Sequence, residues 1–340
     1  MIVVQPFWPT LGEAGPHGPT IDSRDAVQRL AVAWNRDMFN SRKAITPRNY
    51  EDIAMAFKLP ENIANRPIAI LGAGTLGRRI ALMLATRGAE VRVYARSAAT
   101  REAAVAFANE QLPAVLARLS GSKGGTIVGC DDMAAALADA WLVVESVPEE
   151  LNLKNDIFRQ VDALSASDAI FASNSSSYSS SAFADSVKDP ARLLNTHFLM
   201  PPGITPVELM SCGQTDPAVI QLLVDVLPGY GLTPYVVQRE SMGFIFNRIW
   251  AAIKREALAV VAEGVASAEV VDAIYGQATG SKFVPCRLMD AVGLDVVLSI
   301  EENYAAQRPG LPDAPRTLLK RMIAEGRLGV KSGRGFYDYP

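Results

Sequence analysis

One stretch constrains this chain more than any other: a glycine pattern set between a strand signal and a helix signal. Ile68–Leu71 is a short apolar run, Gly72-Ala-Gly74-Thr75-Leu76-Gly77 follows at once, and Leu76, Ile80 and Leu84 then recur at helical spacing. Each glycine has a mechanical task. The first permits a tight turn, the second lets backbone approach a pyrophosphate, and the third lets helix and strand pack closely, with the phosphate on the helix N-terminus. The pattern therefore predicts a dinucleotide site formed by Gly72, Gly74, Thr75, Leu76 and Gly77.

The rest of the chain fits a parallel α/β sheet followed by helices. Strands are expected at Ile68–Leu71, Val91–Tyr94, Trp141–Val144, Ile170–Ala172, Leu193–Thr196 and Tyr235–Val237, separated by longer helical patterns. Beyond residue 239 the strand signals stop, and Ile245, Ile249, Ala252, Ile253, Ala257, Val260 and Val261 keep a helical period. Before residue 65, a Gly/Pro-rich loop precedes an apolar stripe at Val27, Leu30, Ala31, Trp34 and Met38, and a second short helix is expected over 49–58. This gives a helical extension at 1–64, a nucleotide-binding sheet domain at 65–239 and a helical domain at 240–340. The extension is too small for a core of its own, so it is expected to pack on the main body or on a partner subunit.

Composition removes several classes of partner. The 340 residues carry a formal charge of −3 with no long basic run, which argues against nucleic acid or an anionic membrane surface. No run approaches the ~18 apolar residues of a membrane span, and the N-terminus lacks the form of a signal peptide. Cys130, Cys212 and Cys286 lie far apart and in no metal-ligand spacing, so neither a disulfide framework nor a metal site is expected. A cytoplasmic protein fits best.

The end of the second strand bears on which dinucleotide is bound. An NAD site wants a carboxylate there for the ribose 2′-hydroxyl. Here the run is Val93-Tyr94-Ala95-Arg96-Ser97. A guanidinium and a hydroxyl would instead hold a 2′-phosphate, so NADP(H) is expected over NAD(H), with Arg96 and Ser97 as its ligands. The plain alternative is a solvated loop arginine.

Histidine, the usual proton carrier at neutral pH, occurs only at His17 and His197. His17 lies in the Gly/Pro-rich head. His197 falls at the C-terminal end of a predicted strand, which in an open parallel sheet faces the ligand crevice. Taken alone it reads as an ordinary core histidine. Glu208, another polar residue inside an apolar run a short loop later, needs a partner if buried and could fix the imidazole tautomer. Asn174-Ser175-Ser176-Ser177 follows the strand at 170–172 and can reach the same crevice, although serine runs are also plain turn composition. Asn247 opens the first helix of the second domain, where an interhelical hydrogen bond is the bland reading.

Together, over about 66–340, these motifs resemble the L-3-hydroxyacyl-CoA dehydrogenases, the 3-hydroxybutyryl-CoA enzymes among them. The resemblance rests on the glycine loop, Val144-Glu145-Ser146-Val147-Pro148-Glu149, the Asn-Ser-Ser-Ser cluster, His197-Phe198 with Glu208, Gly243-Phe244-Ile245-Phe246-Asn247-Arg248, Val292-Gly293-Leu294-Asp295 and Lys331-Ser-Gly-Arg-Gly-Phe-Tyr337. It implies a Rossmann domain with a helical dimerisation domain and a homodimer. It further implies His197 as general acid/base, Glu208 as its orienting carboxylate, and Ser176 and Asn247 on the reacting oxygen. Glu145 and Lys331 match positions that contact the cofactor.

Two departures bear on the substrate, expected to be a small carbonyl or hydroxy compound. The family's His-Phe-Phe-Asn-Pro is here His197-Phe198-Leu199-Met200-Pro201, an apolar and adaptable wall. Between Ser97 and Cys130, where the family carries a lysine-rich helical tail for coenzyme A, the only cations are Arg101, Arg118 and Lys123. A 3-oxoacyl thioester, a non-CoA ketone and a cyclic imine all stay open as substrates. A non-catalytic NADP-binding protein is the reading from another class.

Overall fold

The computed structural model describes residues 57–340. The helix expected around 27–38 lies outside the described residues, as does nearly all of the one expected at 49–58. An eight-stranded sheet dominates, in the order β3-β2-β1-β4-β5-β6-β7-β8. Its strands are β1 (Ile68–Leu71), β2 (Glu90–Tyr94), β3 (Thr126–Cys130), β4 (Leu142–Glu145), β5 (Ile170–Ser173), β6 (Leu193–Met200), β7 (Ile204–Ser211) and β8 (Thr233–Val237). Neighbours run parallel throughout except β6 and β7, which form an antiparallel pair.

Alternate residues of each strand face opposite sides, and both sides are covered. Ile68 and Ile70 of β1, with Val144 and Ala172, pack under α1 (Thr75–Leu84), α2 (Ala98–Leu116) and α5 (Pro217–Val226). Ala69, Leu71, Val143 and Phe171 pack against α3 (Met133–Leu137) and α4 (Leu151–Leu164). That two-sided burial is why the central strands read as continuous apolar runs. Each fully buried Ile or Leu side chain contributes about 1.5–3 kcal/mol, so these layers carry most of the domain's stability.

Two strands differ from the sequence expectation. β3 was not foreseen because it is a sheet edge with Ile127 as its only buried residue. β7 is absent from the expected strands because Pro202, Gly203 and Pro206 break the pattern around its start, although Glu208 falls inside an apolar run. The apolar run that carries Glu208 is thus a strand.

Beyond β8 the chain turns helical: α6 (Phe246–Ala262), α7 (Ala268–Thr279), α8 (Pro285–Val292), α9 (Leu294–Gln307) and α10 (Ala314–Ala324). Leu258, Cys286, Met289, Leu294, Val297, Leu319 and Met322 form their common core. Asp290, fully buried on α8, accepts the backbone N–H groups of Phe336 and Tyr337 and so ties down the C-terminal segment. Among the described residues, no helix is long and apolar enough to cross a membrane.

Candidate active site

The β6–β7 register sets His197 directly opposite Glu208. Side chains of such a pair share one sheet face with Cβ atoms about 5 Å apart, so a hydrogen bond between them needs no backbone distortion. Here Nδ1 of His197 lies 2.7 Å from Oε2 of Glu208, and both side chains are buried. Ionised Glu208 only accepts, so Nδ1 carries the hydrogen of that bond and Nε2 is left for chemistry.

Glu208 is held from the helical domain as well. Its Oε1 accepts the N–H groups of Ile245 (2.8 Å) and Phe246 (2.9 Å), where the open N-terminus of α6 favours negative charge. Gly243 and Phe244 both have positive φ just before this, and a Cβ on Gly243 would overlap the Tyr304 hydroxyl. The turn lays the Phe244 ring on the imidazole, with centroids 4.7 Å apart and planes 16° apart. One turn thus supplies the carboxylate's donors and the imidazole's stacking partner.

Nε2 faces a cavity of about 340 Å³ lined by Leu76, Ser146, Val147, Glu149, Lys154 and Asn174 to Ser176 on one side, and by His197 to Leu199 with Asn247 on the other. Asn247 Nδ2 stands 3.4 Å from Nε2. Ser176, expected to face the same oxygen, lines the cavity but gives its N–H and hydroxyl to Glu149 at 2.7 and 3.2 Å. Asn174 accepts the N–H of Phe198 at 2.9 Å and so fixes the β5 loop against β6.

Glu145 has a different position from the one its motif suggests. Its side chain is wholly buried behind the cavity wall, bonded to Lys154 Nζ (2.8 Å), Ser173 Oγ (2.6 Å) and the Val147 N–H (2.8 Å). Glu149 and Lys154, which sequence reasoning missed, reach the cavity instead. Burial pushes the Glu149 carboxyl up, but the Lys154 ammonium at 3.3 Å and hydrogen bonds from Ser175 and Ser176 outweigh it and hold the group below its ordinary value. A signal for Lys154 existed: it interrupts the apolar face that Ile157, Phe158 and Val161 define on α4. Lys331 stands apart from the cavity lining, half-exposed and paired with Asp295.

The glycine loop fits a dinucleotide. A Cβ on Gly72 (φ +110°) would overlap the Ser146 carbonyl, and one on Gly77 would overlap the carbonyl of Gly72. Gly74 meets nothing within 4 Å, so the approach to the α1 N-terminus over Gly74 and Thr75 is open. At the end of β2, Arg96 is exposed, and Ser97 accepts the Thr100 N–H as the N-cap of α2. Arg101 Nη1 holds the carbonyls of Ala95 (2.6 Å) and Arg96 (3.3 Å), which braces that loop.

Comparisons with known proteins agree with this architecture. The chain matches the NAD binding domain of 3-hydroxyacyl-CoA dehydrogenase over residues 67–241 and its C-terminal domain over 243–339. It is 32% identical to 5-formyl-3-hydroxy-2-methylpyridine 4-carboxylate 5-dehydrogenase of Mesorhizobium japonicum, over 81% of this chain and 91% of that protein. It is 30% identical to 3-hydroxybutyryl-CoA dehydrogenase of Clostridioides difficile, over 80% of this chain and 99% of that protein. Among solved structures, a diketoreductase described in the catalysis of dicarbonyl compounds superposes with a TM-score of 0.69 at 29% identity, covering 81% of this chain and 99% of that one.

Proposed function

The chain belongs to the 3-hydroxyacyl-CoA dehydrogenase family, and from that premise we propose that it is an NADP(H)-dependent oxidoreductase interconverting a 3-oxoacyl compound, CoA-linked or related, and its 3-hydroxy form. The observation that carries the reading is the His197–Glu208 pair, with Nδ1 bound at 2.7 Å and Nε2 turned to the cavity. When bound, the nicotinamide dinucleotide supplies the hydride to a carbonyl carbon, or takes it back from the alcohol. Negative charge then grows on the oxygen, where the Asn247 amide can donate to it, as can the Ser176 hydroxyl once turned from Glu149. Protonated His197 gives its Nε2 proton to that oxygen, and Glu208 holds the ring in place through the transfer. In the reverse direction Nε2 takes the hydroxyl proton. The Gly72–Gly77 loop would hold the pyrophosphate, with Arg96 and Ser97 at a 2′-phosphate, Glu149 and Lys154 at the cavity rim, and Glu145 behind them. Two copies associate through the helical domain.

A second reading, reduction of a non-CoA ketone or cyclic imine, is favoured by the apolar Leu199–Met200 wall and by the few cations on α2. Two of the similar proteins carry names of this kind, a pyridine-carboxylate dehydrogenase and a diketoreductase.

One experiment tests the proposal. Turnover of 3-oxobutanoyl-CoA, a neutral diketone and a cyclic imine is followed with NADPH and with NADH, in wild type, in His197→Gln and in Ala95→Asp/Arg96→Gln. His197→Gln is expected to lower kcat by about 10²–10⁴-fold while cofactor still binds. The double variant should shift preference toward NADH. Near-normal turnover by His197→Gln, or equal use of NADH by wild type, would overturn the corresponding part.

A further inference from the structure

Directly past the glycine loop, α1 carries Arg78 and Arg79 side by side. Both guanidinium groups lie over the ring of Phe107 on α2, at 4.3 and 5.4 Å from its centroid. The cation–π contacts hold the two groups in place before any ligand arrives. Neither arginine meets a carboxylate among the described residues. Among those residues Arg79 makes one side-chain hydrogen bond, from Nη1 to the Pro201 carbonyl at 3.2 Å, and the Nε of each arginine is buried with no acceptor. Buried donors are normally satisfied, so two adjacent cations left this way form an incomplete arrangement.

The position of the pair beside the cavity gives it a use. Leu76 lines the cavity, and Arg79 follows it by three residues, one turn further along the same face and about 4.5 Å up the axis. On the facing wall Leu199 lines the cavity, and Pro201, two residues on, accepts the Arg79 bond. Both walls therefore lead from His197 to Arg79. Of the other cations near the cleft, Lys154 is engaged with Glu145 and Glu149 and Arg101 with the carbonyls of Ala95 and Arg96, while Arg96 lies exposed at the end of β2.

We propose that Arg78 and Arg79 form an oxyanion subsite that holds a carboxylate or phosphate group of the substrate beyond the reacting carbonyl. Planar guanidinium forks suit either oxyanion. The subsite makes an anionic tail, rather than acyl length alone, a basis for selecting the substrate. Its identification with substrate rests on the hydride-transfer reading, whereas the binding site itself rests on geometry alone.

The test uses the full chain with a saturating nicotinamide dinucleotide, so that the glycine loop is filled. Calorimetry measures binding of coenzyme A, as the phosphate source, and of glutarate, as the carboxylate source, to wild type, Arg78→Gln/Arg79→Gln and Arg79→Lys. The ratio of kcat/KM for an anionic over a neutral 3-oxo substrate, ethyl 3-oxobutanoate, is measured alongside. Wild type should bind one of the two anions, and the double Gln variant should weaken that binding and lower the ratio by about 10- to 100-fold, as expected for lost charge-assisted bonds. Arg79→Lys should retain part of both. No binding of either anion by wild type, or equal binding by the double Gln variant, overturns the subsite even if turnover is normal. Arg79-dependent binding without turnover of any carbonyl would keep the subsite and overturn the hydride-transfer reading.

Discussion

Lys154 shows how one side chain ties a buried charge to the cavity. Its side chain is 1% exposed, and the ammonium lies between wholly buried Glu145 and partly exposed Glu149. A carboxylate as deep as Glu145 is tolerable only with a partner, and here it has three donors, of which Lys154 alone carries charge. Replacing Lys154 by Met keeps the volume and removes the charge. That substitution is expected to cost about 3–5 kcal/mol in denaturant unfolding, since it strands the Glu145 carboxylate in the interior. Adding Glu145→Gln should return a large part of the loss, because the uncompensated charge is then gone. A single variant as stable as wild type, or a double variant no better than the single, would show that the pair does not carry this stability. His197 differs in kind: Glu208, itself held by two backbone N–H groups of the helical domain, and the Phe244 ring fix it from two domains.

Among the elements, the β6–β7 hairpin does most to build the site, and it was only half legible. β6 announced itself through Leu193 and Leu194, and the polar exception His197 on that strand pointed to the crevice. β7 did not, because prolines and a glycine at its start carry the signature of a loop. What proximity in sequence suggested for Glu208 is in fact register across an antiparallel pair. The glycine loop was fully legible, since its requirements are local. Which of the two carboxylates reaches the cavity depends on how β4 and the loop after it turn: Glu149 lines it, whereas the motif match pointed to Glu145. A second element-scale contact anchors β1. Arg66, just ahead of that strand, makes a two-pronged bond to Asp168, just ahead of β5, at 2.7 and 2.9 Å. The Arg66 hydrogen bond holds the Asp168 carboxyl below its ordinary value. Its stabilising contribution is therefore complete above the unfolded value of about 3.9 and is lost as pH falls through the lower folded value. Asp168→Asn should cost about 1–2 kcal/mol at pH 7, and its melting curve should converge on that of wild type as the pH is taken down below 4. A gap that stays constant down to pH 2 would mean the ion pair is not its source.

At the scale of the whole molecule, the cavity is shared between the sheet domain and the first helix of the helical domain, so the mutual placement of the two is part of the chemistry. Glu208 on β7 and the start of α6 are bonded to each other, and Met210, Val237 and Phe244 form a small apolar cluster at the same junction. The helical domain, however, leaves large apolar side chains in the open: Ile249 on α6, Ile274 on α7 and Phe283 in the loop before α8 are 56%, 64% and 70% exposed. Scattered singly such residues are normal, whereas a contiguous apolar patch would be an interaction surface. A second copy of the chain is the occupant consistent with the proposed dimer, and it would hold α6, and with it Asn247 and the donors to Glu208, in a fixed position. Sedimentation equilibrium of the full chain should give twice the chain mass at micromolar concentration. Ile274→Glu with Phe283→Glu places charges that the interface cannot solvate, so that variant should sediment at the single-chain mass with unchanged helical content. Its kcat should fall, because α6 is then braced from one side only. A wild-type protein that sediments as a single chain excludes the dimer, and a double variant that stays dimeric moves the interface away from this face.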